Sequence, residues 1–187
     1  MSGRNLGPTE LKRLHRGWRH RTTGRLAVVL DNVMTPVNVG SITRLAAAYG
    51  VERMWLAGAT PSVSHPGARR SALGTDRYVD IVDGGTAAEA MAAARAEGYQ
   101  MVGVELAEGA VPLHQAPLHP DVCVVLGHED HGLSVVSHAA CDLVVYLPLI
   151  GRVGSLNVAT AAGIALAEVR RQEWAAQAPS STGQPPD

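Results

Sequence analysis

Three short stretches of this 187-residue chain put polar, charged and glycine residues at spacings that could do chemistry. The first, Asp31 to Arg44 (DNVMTPVNVGSITR), carries Asn38, Gly40 and Arg44. The second, Gly127 to Ser134 (GHEDHGLS), places Glu129 between two histidines. The third, Leu147 to Asn157 (LPLIGRVGSLN), sets Arg152, Ser155 and Asn157 among glycines. Glycines let main chain approach a ligand closely and present its N–H groups without steric cost. Arginine is a permanent cation with a planar fork, suited to clamping phosphate and ill suited to accepting a proton. No metal is expected: His128 and His131 lack a third ligand at a recognisable spacing, and there is no HExxH or CxxC pair. The absence of GxGxxG after the first apolar run, of GxxxxGK[ST] and of GxSxG disfavours ordinary dinucleotide binding, P-loop phosphoryl transfer and serine hydrolysis.

Each stretch follows a short apolar run. Leu26–Leu30, Val122–Leu126 and Leu143–Leu147 read as buried strands, as do Arg53–Ala57, Tyr78–Val82 and Tyr99–Val104. Between them, Asn38–Tyr49 (closed by Gly50), Thr86–Glu97 (stopped by Gly98) and Ser155–Trp174 read as helices. Residues 58–70 and 107–121 read as connections. Strands alternating with helices predict an α/β fold with a twisted, mostly parallel sheet and helices on both faces. In such sheets ligands sit beyond the carboxyl ends of the strands, where all three stretches fall.

The net charge of −1 conceals an asymmetry. Residues 1–25 carry +6, whereas the remaining 162 carry −7. A helix starting at Pro8 would place Leu11, Leu14 and Trp18 on one stripe and Lys12, Arg13, Arg16 and Arg19 on its other faces. A basic arm on an acidic body points to a polyanion approached from one side, with a solvated helix face as the plainer reading. Residues 26–176 form the expected single domain, and 177–187 an expected disordered tail. No run is long enough to span a bilayer, no apolar segment resembles a secretory signal, and Cys123 and Cys141 read as small core residues. These features fit a cytoplasmic protein without membrane partners.

The three stretches together resemble the signature motifs of the SpoU (TrmH-type) family of RNA ribose 2′-O-methyltransferases, part of the SPOUT superfamily. Asn38-x-Gly40-x-x-x-Arg44 resembles motif 1, and Gly127-x-Glu129-x-x-Gly132-Leu133-Ser134 resembles motif 2. Leu147-Pro148-Leu149-x-Gly151-x-Val153-x-Ser155-Leu156-Asn157-Val158 resembles motif 3, with Leu-Pro-Leu where the family often has Ile-Pro-Met. The likeness runs from about Arg25 to Gln172. The arginine-rich start and the segment Ser71–Val79 also resemble the tRNA guanosine-2′-O-methyltransferase branch. His128 and His131 stand at positions that vary in the family, so no role passes to them.

This resemblance implies a C-terminal deep trefoil knot, S-adenosylmethionine as cofactor, RNA as substrate and a homodimer whose site is completed across the interface. It implies an adenosine pocket lined by Gly127, Leu147, Leu149, Gly151 and Leu156, with Leu106 as a further wall. Arg44 would clamp an RNA phosphate and help activate the ribose 2′-OH. Asn38 would tie the motif 1 loop to the backbone of motif 3 or contact the ribose. Glu129 would orient Arg44, accept from the substrate, or cap the helix at Ser134. Ser155 and Asn157 would shape the site, with Ser155 also a candidate helix cap, and Arg152 would contact RNA phosphate. The function implied is methylation of a tRNA guanosine in the D-loop region. The alternatives are an rRNA 2′-O-methyltransferase, including the antibiotic-resistance type, and a catalytically silent RNA-binding knot protein. A separate N-terminal RNA-binding domain, usual in the rRNA enzymes, does not fit in 25 residues.

Overall fold

The run LAVVLD forms strand β1 (Leu26–Asp31), and all six residues are buried. Leu26, Val28 and Leu30 face one hydrophobic core while Ala27 and Val29 face another. A strand covered on both faces reads as a continuous apolar run, with side chains alternating between the two layers. The computed structural model describes residues 4–177, so all of the expected tail but its first residue lies outside the described part.

Around β1 lie β2 (Arg53–Ala57), β3 (Asp80–Asp83), β4 (Gln100–Val104), β5 (Val111–Pro112), β6 (Val122–Leu126) and β7 (Leu143–Tyr146). Their order is β3-β2-β1-β6-β4-β7-β5, and every pairing is parallel. Helices α2 (Pro36–Tyr49), α3 (Pro66–Ala72) and α6 (Val158–Ala176) cover one face. The other is covered by α4 (Ala87–Ala96) and α5 (Val135–Ala140). The layered α/β architecture is the expected one. Strands β1, β6, β4 and β7 are consecutive in the sheet, so the three motif loops and the turn after β4 emerge side by side.

Several boundaries differ from the sequence reading. The connection 58–70 gives way at Pro66 to α3, which starts on His65 with its Nδ1 accepting from the Gly67 N–H at 3.1 Å. The strand expected at Tyr78–Val82 starts at Asp80, because Thr75–Tyr78 winds into a 3-10 turn. Within 107–121 the two-residue β5 adds an edge strand beside β7. The last helix starts at Val158, three residues after the expected Ser155. Its cap is Asn157, whose Oδ1 accepts from the Ala159 and Thr160 N–H groups. Ser155 therefore lies in the exposed loop and caps nothing.

Arg170, almost wholly buried on α6, donates to the carbonyls of Tyr49, Gly50 and Gly24 and pairs with Glu173 at 2.7 Å. One side chain thus closes the end of α2, where Gly50 takes the left-handed conformation that ends helices. Cys123 is buried and Cys141 half-buried, both as free thiols, and burial pushes the Cys141 thiol up to about 12. Helix α1 (Pro8–His20) buries no residue. Trp18 packs on Trp174 with ring centroids 4.6 Å apart, and Glu173 accepts from the Thr23 and Gly24 N–H groups. Leu11, Leu14 and Trp18 stay 43%, 47% and 41% exposed, and the stripe meets the body where Trp18 packs on Trp174. No helix among the described residues is long and apolar enough to cross a membrane.

Candidate functional site

Helix α2 begins without help from its own N-cap: Thr35 makes no side-chain capping bond. The free N–H groups at a helix start need an acceptor, and a carboxylate suits the positive end of the helix dipole. Glu129 of motif 2 supplies it, accepting from the N–H groups of Met34 and Thr35 at 3.0 Å each and from Asn38 Nδ2 at 2.8 Å. Burial pushes its carboxyl up, but the bonds from Asn38, Thr35 and Met34 outweigh it and hold it at about 2. Glu129 bonds neither Arg44 nor the α5 terminus, where Ser134 Oγ takes the Ser137 N–H instead. It braces motif 1, a role outside the three read from the sequence.

The brace continues into motif 3. Asn38 Oδ1 accepts from Asn157 Nδ2 at 3.0 Å, and Asn157 caps α6. Glu129, Asn38 and Asn157 thereby form one hydrogen-bonded chain through all three motifs. The tie between motifs 1 and 3 runs through side chains, where the sequence reading had the motif 3 backbone.

Two further carboxylates went unnoticed in the sequence. Asp31 is 0% exposed at the end of β1, and its carboxylate accepts from the Ser134 N–H at 2.9 Å and from Asn32 Nδ2 at 2.8 Å. Glu105, just past β4, accepts from the Leu133 N–H at 2.6 Å. Motif 2 grips motif 1 through Glu129, and the end of β1 grips motif 2 in return through Asp31. A carboxylate ending the otherwise apolar run LAVVLD was the available signal for Asp31, since a buried charge must find partners.

The glycines divide by what surrounds them. A side chain on Gly127 would strike the main chain of Gly132 and Leu133, because the motif 2 turn closes on itself through paired His128 and Gly132 N–H···O bonds of 2.8 and 2.9 Å. Gly127 thus shapes the turn, and a larger residue there would break the loop before it reached any ligand. Gly40 of motif 1 lies against the Ala68 carbonyl, which lets α3 pack onto α2. A side chain on Gly151 or Gly154 would meet nothing within 4 Å.

Around that open loop, apolar side chains stand in solvent: Leu149, Ile150 and Val153 in motif 3, and Leu106, 71% exposed, after the neighbouring β4. Leu147 is half-buried against the core, and Leu156 is half-buried too. An apolar rim with open glycine backbone at a sheet's carboxyl edge suits a flat, largely apolar ligand. Leu106 belongs to this rim as an exposed edge, not yet as a wall.

Arg44 projects from the third turn of α2 and is exposed, with no hydrogen bond or ion pair among the described residues. With Asn38 and Asn157 it lines a groove of about 800 Å³ between α2 and α6. Arg152 is exposed in the motif 3 loop, and Lys12, Arg13, Arg16 and Arg19 are exposed along α1. His128 and His131 stack with centroids 4.6 Å apart; among the described residues no group of three His, Cys, Asp or Glu could hold a metal ion.

Residues 25–167, which include all three braced loops, match the SpoU rRNA methylase family. The chain belongs to this family. It is 35% identical over 148 residues to the 23S rRNA (guanosine-2′-O-)-methyltransferase RlmB of Acinetobacter baylyi, covering 79% of this chain and 60% of that protein. It is 30% identical over 152 residues to the tRNA (guanosine(18)-2′-O)-methyltransferase of Escherichia coli, covering 79% and 63%. Among solved structures, the SpoU methyltransferase AviRb of Streptomyces viridochromogenes in complex with AdoMet superposes with a TM-score of 0.72 at 30% identity, covering 81% of this chain and 62% of that one. The chain spans about 60% of the length of the first curated relative and 40% of the next. A structure concerned with 2-OH methylation of C/U34 on tRNA matches over nearly its whole length, at 28% identity, TM-score 0.70, and 90% and 98% coverage.

Proposed function

We propose that this SpoU-family protein methylates a ribose 2′-hydroxyl in RNA with S-adenosylmethionine as donor, and that its substrate is a tRNA guanosine. The observation that carries the reading is the Glu129–Asn38–Asn157 chain, which joins three loops and leaves Arg44 unpaired beside them. The open backbone at Gly151 and Gly154 and the apolar rim of Leu106, Leu149, Ile150 and Val153 fit the cofactor's adenosine. Gly127, Leu147, Gly151 and Leu156 would supply the rest of that pocket. When bound, S-adenosylmethionine supplies a methyl group already activated by its sulfonium.

The protein's own part is then positioning, which can contribute roughly 7–11 kcal/mol to lowering a barrier. Arg44 clamps the phosphate next to the target ribose and lowers the cost of forming alkoxide at the 2′-oxygen. A guanidinium does not give up its proton at neutral pH, so a phosphate oxygen or water takes the hydroxyl proton. Ser155, exposed near the capped start of α6, and Arg152 complete the polar side. The basic residues of α1 extend the RNA footprint in the manner of an N-terminal arm, residues 1–25, on a methyltransferase body. The groove between α2 and α6 is apolar where Val37 and Ile164 are exposed, and a second copy seated there would complete the site around Arg44. The knot implied by the family would be formed where the motif 3 loop leads α6 back beside α2.

Transfer of a labelled methyl group from S-adenosylmethionine to bulk tRNA and to ribosomal RNA tests this directly. Incorporation into tRNA is expected. Incorporation confined to rRNA would move the protein to the ribosomal branch, and none into either would favour a silent RNA-binding knot protein.

A further inference from the structure

The fifteen arginines of the chain sort by their partners. Arg4, Arg25, Arg53, Arg95, Arg170 and Arg171 pair with carboxylates. The other nine have no carboxylate partner among the described residues. Three of those are on α1 and Arg21 caps its end, Arg152 is in motif 3, and Arg44 is the catalytic candidate. The remaining three are Arg69 and Arg70 on α3 and Arg77 in the turn that follows, and neither the motifs nor the arm accounts for them.

All three are exposed, and Asp76 is the one acid between residues 66 and 78. Arg77 lies over the ring of Tyr78, 4.7 Å from its centroid, and Tyr78 is itself 62% exposed. The segment is fixed to the site: Ser71 Oγ donates to the Val37 carbonyl at 3.0 Å, and Ser71 lines the same groove as Arg44. Cations left without carboxylate partners on a rigid element keep their field for an external anion, and the one bond Arg77 makes is to the neutral Tyr78 hydroxyl. Planar guanidinium forks beside an exposed aromatic ring match a phosphate backbone with accessible bases.

We infer that the outer surface of α3 and its following turn, carrying Arg69, Arg70, Arg77 and Tyr78, is a second docking site for the phosphate backbone of the RNA substrate. It lies on the flank of α2, on a different element from the basic arm. With the arm it would grip the RNA at two places and fix the register in which a ribose reaches Arg44. This inference rests on the RNA-methylation reading above.

The test is the triple variant Arg69→Gln, Arg70→Gln, Arg77→Gln, with Arg171→Gln, whose guanidinium is already taken by Glu168, as control. Binding of bulk tRNA is measured across a salt series, with melting temperature and cofactor affinity alongside. The triple variant should bind about tenfold more weakly, with a slope of log K against log salt flatter by about 2–3, since each of the lost phosphate contacts removes nearly one released counterion. Its KM for tRNA should rise while kcat, melting temperature and cofactor affinity hold, and the control should match wild type. Wild-type affinity and slope in the triple variant would overturn the second docking site alone. Wild-type protein that binds no RNA at any salt concentration would overturn both readings.

Discussion

Arg44 owes its place to residues that never touch it. Its helix starts on a carboxylate from another loop, so the geometry at Arg44 depends on Glu129 and Asn38 as much as on α2 itself. Arg44→Ala should lower methyl transfer by at least about 100-fold, as expected when a transition-state cation is removed, while cofactor affinity by calorimetry stays within about twofold. Arg44→Lys separates fork from charge: a comparably large loss means bidentate clamping, and near-wild-type activity means charge alone suffices. Glu129 carries a pH signature. Its carboxyl sits at about 2 against an ordinary value of 4.5, so its bracing is complete above pH 4.5 and disappears as the pH falls through 2. The melting temperature of Glu129→Gln should lie below that of wild type at neutral pH, and the gap should close on acidification between those values. A gap that is constant with pH would mean the charge of Glu129 contributes nothing to the brace.

At the scale of elements, close approach explains Gly40 and Gly127 better than ligand contact does. Gly40→Ala should push α3 from α2, and Gly127→Ala should force open the motif 2 turn, each costing about 1–3 kcal/mol in denaturant unfolding as overpacking does. Gly154→Ala, with open space around it, should change stability by less than about 0.5 kcal/mol. Equal losses at all three would contradict this division. The central strands were legible because both faces of β1 and β6 are covered, leaving uninterrupted apolar runs. Thr86 and Gly50 marked their helix ends for local reasons, a capping box and a left-handed closing glycine. Helix α3 was obscured because it is short and lies in a stretch rich in Gly, Pro and Ser. The start of α6 was misplaced because Ser155 and Asn157 are both good caps, and Asn38 on the neighbouring helix α2 decides between them. The carboxylate braces were equally hidden: Glu129 lies more than 90 residues from Asn38 in the chain, and only the order of strands brings them together.

At the scale of the whole molecule, the proposed function depends on a second copy and a polyanion. Ile164→Arg, which places charge in the α2–α6 groove away from Arg44's own helix, should convert a dimer to monomers in sedimentation and reduce activity with it. A monomeric wild type with full activity would remove the dimer from the account. Arg13→Glu with Arg16→Glu alters the polar face of α1 and spares Leu11, Leu14 and Trp18. It should weaken tRNA binding and flatten its salt dependence with the melting temperature unchanged. The central claim is that the methyl group goes to a ribose oxygen. The most direct measurement is mass spectrometry of nucleosides from tRNA methylated by the purified protein, with sites mapped in tRNA from a deletion strain against wild type. The account predicts 2′-O-methylguanosine that appears with the protein and is lost in the deletion strain, whereas a methyl group found on a base would contradict it.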